Sequence, residues 1–161
     1  MTPIYSTVDS PIGILTLTAT DGRLTGLHMA DQHHAPPDTG DAVRDDAWFA
    51  GVSAQLEAYF AGTLTRFDVP LELAGTDFQR RVWSQLSAIP YGETISYGEL
   101  ARRVDSPGAS RAVGQANGRN PVAVIVPCHR VIAADGSLGG YGGGSDRKTW
   151  LLDHEVTHRT R

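Results

Sequence analysis

Cys128 is the single cysteine of this 161-residue chain, and His129 and Arg130 follow it directly. A thiol reacts as its thiolate, which needs a cation, a base or a helix N-terminus close by. The three residues therefore have the composition of an activated nucleophile. Neighbouring side chains in an extended segment point apart, so His129 reaches Cys128 only around a turn or through a water. Taken alone, a cysteine behind an apolar run reads as an inert buried hydrophobe. One cysteine excludes an intramolecular disulfide, a CxxC redox pair and any zinc site needing two thiolates. His28 and the pair His33-His34 are read as ordinary loop and surface residues, and no metal is expected. The glycines from Gly139 to Gly144 lack the Gly-Lys-Ser/Thr ending of a phosphate loop.

The elements that must position Cys128 fall into two halves. Leu15, Leu17 and Ala19 alternate with Thr16, Thr18 and Thr20, the period of a half-buried strand. Asp21-Gly22 is a hairpin dipeptide, and Leu24 to Met29 is the return strand. Ala30 to Asp46 reads as a polar loop containing Pro36-Pro37. Phe49, Val52, Leu56 and Tyr59/Phe60 recur at helical spacing, with Gly62 as the stop. Phe67, Val69 and Leu71 alternate as a further strand. Beyond them, Thr76-Asp77-Phe78-Gln79 forms a capping box ahead of Val82 and Leu86. Ser96-Tyr97-Gly98-Glu99 forms a second, and a helix from Ala109 to Asn117 follows a turn at Asp105–Gly108. Residues 96–118 thus have the outline of a helix-turn-helix, which many DNA-free αα-hairpins share. Pro121 to Val126 is an apolar run leading to Cys128. Asp146 to Glu155 is helical, Trp83 and Trp150 are core residues, and Thr157 to Arg161 are expected to fray.

Charge divides the same way. Through Leu73 three arginines face ten acids, a balance of −7, whereas from Ala74 onward ten arginines and one lysine face eight acids, +3. A polyanionic partner would meet the second half. Hydrophobic residues make up 40% of the chain and charged residues 20%, a globular balance. No apolar run approaches the roughly 20 residues of a membrane helix. Met1 to Ser10 has no secretory pattern, so a cytoplasmic, reducing setting is expected.

Ile125-Val126-Pro127-Cys128-His129-Arg130-Val131 resembles the signature of the O6-alkylguanine-DNA alkyltransferases. The resemblance spans nearly the whole chain. It takes in Gly75 to Gln79 with Val82-Trp83, Ile89 to Thr94, Ser96-Tyr97, Arg111 to Gly114, Asn120-Pro121, Gly139 to Gly143, Leu151-Leu152 and Glu155. It implies an α+β protein: a small ribonuclease-H-like α/β domain over residues 1–73, then a mainly helical domain with a helix-turn-helix over 74–161. It also implies suicide repair of O6-alkylguanine in double-stranded DNA, with activity on O4-alkylthymine left open. Cys128 would keep the alkyl group, and a Glu155–His129–water–Cys128 relay would activate it. Asn120 would brace the turn. Tyr97 would donate to guanine N3, and the Gly142 N–H would approach O6. The carbonyls of Cys128 and Val131 would hold the exocyclic amine, with Tyr141 and Gly143 completing the pocket. Arg111 would fill the gap left by the flipped base; without the resemblance it reads as a solvated arginine. Ser110, Ala112, Gly114, Ala116 and Asn117 would line the minor-groove face of its helix. No cofactor is implied, because the thiol is the acceptor. A monomer is expected in solution, with cooperativity on DNA left open. Two rivals stand beside this reading: a DNA-binding module without chemistry, and a thiol hydrolase or acyltransferase.

Overall fold

The computed structural model describes residues 2–32 and 40–159. The chain opens with strands β1 (Ile4–Val8), β2 (Leu15–Thr20), β3 (Arg23–Met29) and β4 (Val43–Arg44), then helix α1 (Ala50–Phe60). The sheet order is β3-β2-β1-β4, antiparallel except for the parallel β1–β4 edge. Leu15, Leu17 and Ala19 are fully buried and the threonines between them only partly, so the period-2 pattern of β2 becomes one core face. Asp21 (φ 54°) and Gly22 (φ 78°) both take the left-handed backbone of a tight primed turn. α1 buries Val52, Leu56 and Tyr59 in the same hydrophobic core.

Two expectations for this half are corrected, and one strand forms for which no pattern was read. β1 forms although its sequence, IYSTV, has no clear alternation; Ser6 is buried because its hydroxyl donates to Asp46 Oδ1 at 2.6 Å. The segment read as a loop from Ala30 to Asp46 contains β4. Phe67 to Leu71 does not form a strand. Pro70 lacks an N–H for a ladder, and only one bridge forms, with Leu24 N donating to Pro70 O and Glu72 N to Leu24 O. His33-His34 and Pro36-Pro37 lie outside the described residues.

The second half contains α2 (Asp77–Ser87), β5 (Ile95–Ser96), α3 (Tyr97–Arg103), α4 (Ser110–Gly118), a 3₁₀ turn (Cys128–Arg130), β6 (Val131–Ile132) and α5 (Ser145–His158). The Thr76 capping box is complete: Gln79 N donates to Thr76 Oγ1 and Thr76 N to Gln79 Oε1. The Ser96 cap is half of one. Glu99 N donates to Ser96 Oγ, but the Glu99 carboxylate turns to Arg102 and Arg103 instead of returning to Ser96. α3 and α4 form the helix-turn-helix, packed on α2, where buried Trp83 donates from Nε1 to Ala116 O at 2.8 Å. α5 continues through Thr157 and His158, against the fraying expected from Thr157 to Arg161; His158 Nδ1 bonds His154 O at 2.7 Å, and Thr160 and Arg161 lie outside the described residues. No helix among the described residues is long and apolar enough to cross a membrane.

Candidate active site

Three local structures bring distant side chains to Cys128. The first is a two-stranded parallel ladder that pairs Ile95 with Val131 and Ser96 with Ile132. It sets the start of α3, and so Tyr97, beside the turn that carries Cys128. The second is the loop from Asn120 to Pro127. Asn120 Nδ2 donates to Val126 O at 2.7 Å while Val122 N donates to Asn120 Oδ1 at 3.0 Å, so one amide closes the loop at both ends. Inside it, Val124 sits at φ 72°, a costly conformation for a β-branched residue, held by Ile125 N donating to Ala123 O. The same loop joins the N-terminal sheet, since Leu27 N donates to Pro121 O at 2.9 Å. The third is α5, which presents Lys148 and Glu155.

Cys128 lies in the wall of a cavity of about 460 Å³, with Tyr97, Arg111, Gly114, Asn117, Asn120 and Tyr141 among the lining residues. That is the size range of small-ligand pockets. Gly142 and Gly143 also line it, as does Gln32 from the N-terminal half. Val131 does not; its carbonyl accepts Lys148 Nζ at 2.6 Å, and the Cys128 carbonyl accepts Asn117 Nδ2 at 3.2 Å.

Behind the cysteine is a buried ionic network. His129 Nε2 bonds Glu155 Oε2 at 2.7 Å, and Arg130 forks onto the same carboxylate at 2.8 and 3.0 Å. Burial alone would raise the Glu155 pKa, but the bonds from His129 and Arg130 outweigh it and hold the group ionised, well below the usual carboxylate range. Burial lowers the pKa of His129, offset in part by Glu155, so its imidazole is neutral at pH 7. An ionised Glu155 accepts only, so Nε2 carries the proton and Nδ1 is a bare acceptor. Nδ1 is buried and has no hydrogen-bond partner among the described residues. Burial raises the pKa of the Cys128 thiol, opposed by the Asn120 side chain, the Lys148 charge and Tyr141. The resting centre is therefore a neutral thiol and a neutral imidazole. Tyr97 is also raised, by burial and by Cys128, and remains a proton donor.

The residues anticipated from the sequence separate here. Cys128, Tyr97, Asn120, Tyr141, Gly142 and Gly143 meet at the cavity; His129 and Glu155 stand behind it. On α4, Ser110, Arg111 and Ala112 are exposed and Gly114 is partly so, whereas Ala116 and Asn117 are buried and not on the outer face. The Arg111 guanidinium has no ion-pair or hydrogen-bond partner among the described residues. His28 is not an ordinary surface residue: its Nδ1 is buried and unpartnered, and burial lowers its pKa. Among the described residues no group of three or more His, Cys, Asp or Glu side chains could hold a metal ion.

The sequence reading missed Lys148. It is fully buried, and its ammonium donates to Val131 O, Leu138 O and Gly140 O, tying the glycine loop to β6. Burial pulls its pKa down to about 8. It is the only lysine beside thirteen arginines, which was an available signal. Three converging carbonyls suit a compact rotating ammonium and not a planar fork.

Comparison with known proteins places both halves of the chain in one family. Residues 4–73 match the ribonuclease-like domain of 6-O-methylguanine DNA methyltransferase, and residues 77–157 match the DNA-binding domain of the same family. The methylated-DNA–protein-cysteine methyltransferase of Mycolicibacterium paratuberculosis is 60% identical over 154 residues, covering 96% of this chain and 93% of the relative. The crystal structure of the Mycobacterium tuberculosis O6-methylguanine methyltransferase superposes with a TM-score of 0.90 at 56% identity, covering 97% of this chain and 94% of that one. The M. tuberculosis OGT in complex with DNA gives the same score and identity over 96% and 93%. The chain belongs to the 6-O-methylguanine DNA methyltransferases, the methylated-DNA–protein-cysteine methyltransferase family of DNA repair.

Proposed function

We propose that the protein repairs O6-alkylguanine in double-stranded DNA by a single irreversible displacement onto Cys128. The observation that carries this reading is the placement of the one thiol in a cavity wall with the His129–Glu155 pair directly behind it. The thiol proton passes through a water to His129 Nδ1, and Glu155 steadies the imidazolium that forms. Sulfur then bonds the alkyl carbon as the carbon–O6 bond breaks, and the electron pair stays on the purine. Tyr97 gives a proton at N3, and the Gly142 N–H faces the developing charge at O6. Solvent exchange later returns the proton from His129 to Tyr97. The Cys128 and Val131 carbonyls face the exocyclic amine. A thioether is a poor leaving group and the chain has no second cysteine, so each molecule reacts once.

A stacked base cannot bring O6 to a cavity thiol, so the nucleotide is flipped. Arg111, exposed and unpaired at the start of α4, enters the gap. Ser110, Ala112 and Gly114 give that face the slim profile a minor groove about 6 Å wide demands. The protein acts as a monomer in the reducing cytoplasm, without metal or cofactor, and its functional division falls between residues 73 and 74. Incubation with excess duplex carrying radiolabelled O6-methylguanine tests the stoichiometry. One methyl per protein, with a plateau, is expected; continued release of product overturns the irreversible step.

A further inference from the structure

We propose that Tyr59, supplied by the N-terminal domain, is a positioning residue for alkyl transfer, its hydroxyl donating to the Glu155 oxygen that also receives His129. The proposal rests on the relay reading above. Tyr59 is fully buried on α1, and Oη lies 2.6 Å from Glu155 Oε2 across 96 positions of sequence. α5 grips it at both ends: Glu155 takes the hydroxyl, and His154 Nε2 bonds the Tyr59 carbonyl at 2.7 Å. Rings of Phe67, Tyr91 and His154 stand 5.4 to 6.1 Å from the Tyr59 ring, centre to centre, and fix its plane.

The Glu155 carboxylate has about four lone-pair sites. Oε1 receives Arg130 Nε and Gly92 N; Oε2 receives His129 Nε2, Arg130 Nη2 and Tyr59 Oη. Tyr59 therefore shares one oxygen with the relay imidazole. It fixes where the lone pair for His129 points and takes part of the charge that would otherwise fall on the Nε2 proton. Removing only the hydroxyl leaves the ring packing and the Arg130 fork intact, but concentrates charge on Oε2. The imidazole then holds a second proton more tightly, and less of it is available as a base at neutral pH. The other groups acting on His129 are Glu155 and Lys148 from α5 and Arg130 from its own turn; Tyr91 acts on Glu155.

The test is Tyr59→Phe in the full chain, with single-turnover rates on O6-methylguanine duplex from pH 5 to 9, normalised to the folded fraction. A ¹⁵N titration of the His129 ring runs in parallel. Expected are a rate about tenfold lower at pH 7, an acid limb and a His129 midpoint both moved to higher pH, and DNA affinity within about twofold of the parent. A merely structural role would not move the limb or the midpoint. Profiles that overlay the parent, while Glu155→Gln is strongly slowed in the same assay, overturn the role of Tyr59 and leave the relay standing. If Glu155→Gln also reacts at the parental rate, the relay itself fails.

Discussion

Tyr97 and Lys148 meet at one carbonyl: Tyr97 Oη donates to Gly140 O at 3.4 Å and Lys148 Nζ donates to it at 3.1 Å, with the ammonium 6.0 Å from the Tyr97 ring centre. The glycine loop, rich in backbone freedom, is thus held at the cavity by two side chains from α3 and α5. Lys148→Met removes the donor to three buried or partly buried carbonyls. The expected cost is about 2–4 kcal/mol, read as a lower melting temperature. Amide exchange across residues 138–143 should rise as well. Unchanged exchange in that loop would contradict its being held by Lys148.

Asn120→Ala strands the Val122 N–H in the interior and removes one of two donors to the Val126 C=O, which keeps the Cys128 N–H. About 3 kcal/mol of stability should be lost, and alkyl transfer should slow more than DNA binding weakens, because the loop that places Cys128 loses its clasp. Equal loss of rate and affinity would assign Asn120 to global stability alone.

The pH dependence follows from His129. Its pKa in the folded chain lies below the unfolded value of about 6.5. The unfolded chain takes up a proton as pH falls through that value while the folded chain resists it. This contribution to stability is present above about pH 6.5 and is lost as pH drops toward the folded pKa. Glu155, also depressed, acts in the same direction at still lower pH. The transfer rate should therefore be level near neutrality with an acid limb below about 6.5, and the melting temperature should fall over the same interval. A rate that climbs continuously from pH 7 to 9 would indicate that direct ionisation of the thiol sets the pace.

Arg111→Ala should slow repair in duplex DNA by about tenfold or more, since the gap left by the flipped base is no longer filled. Reaction with free O6-benzylguanine, which needs no flipping, should stay within about twofold. Equal loss on both substrates would remove the finger role and assign Arg111 to holding the base in the cavity it lines.

The local patterns that survived were those whose cause is local. The alternation in β2, the Asp21-Gly22 turn and the Thr76 box depend on neighbours within four residues, and all three form. Phe67 to Leu71 carried a strand pattern too, but Pro70 cannot join a ladder and the segment makes a single bridge to Leu24. The Cys128 motif pointed to the site because its residues are contiguous. Tyr59 did not, because its spacing on α1 is that of any core residue and its partner Glu155 is 96 positions away. Lys148 falls between: its rarity was visible, its three carbonyl partners were not.

The fate of the Cys128 sulfur decides between irreversible repair and every other use of the thiol. After incubation with an oligonucleotide carrying O6-methylguanine, intact mass and peptide mapping should show the gain of one methyl group, confined to the peptide containing Cys128. The gain should be absent in Cys128→Ala and strongly slowed in Glu155→Gln. Repaired DNA beside a protein of unchanged mass, or a methyl group on any other residue, would contradict it.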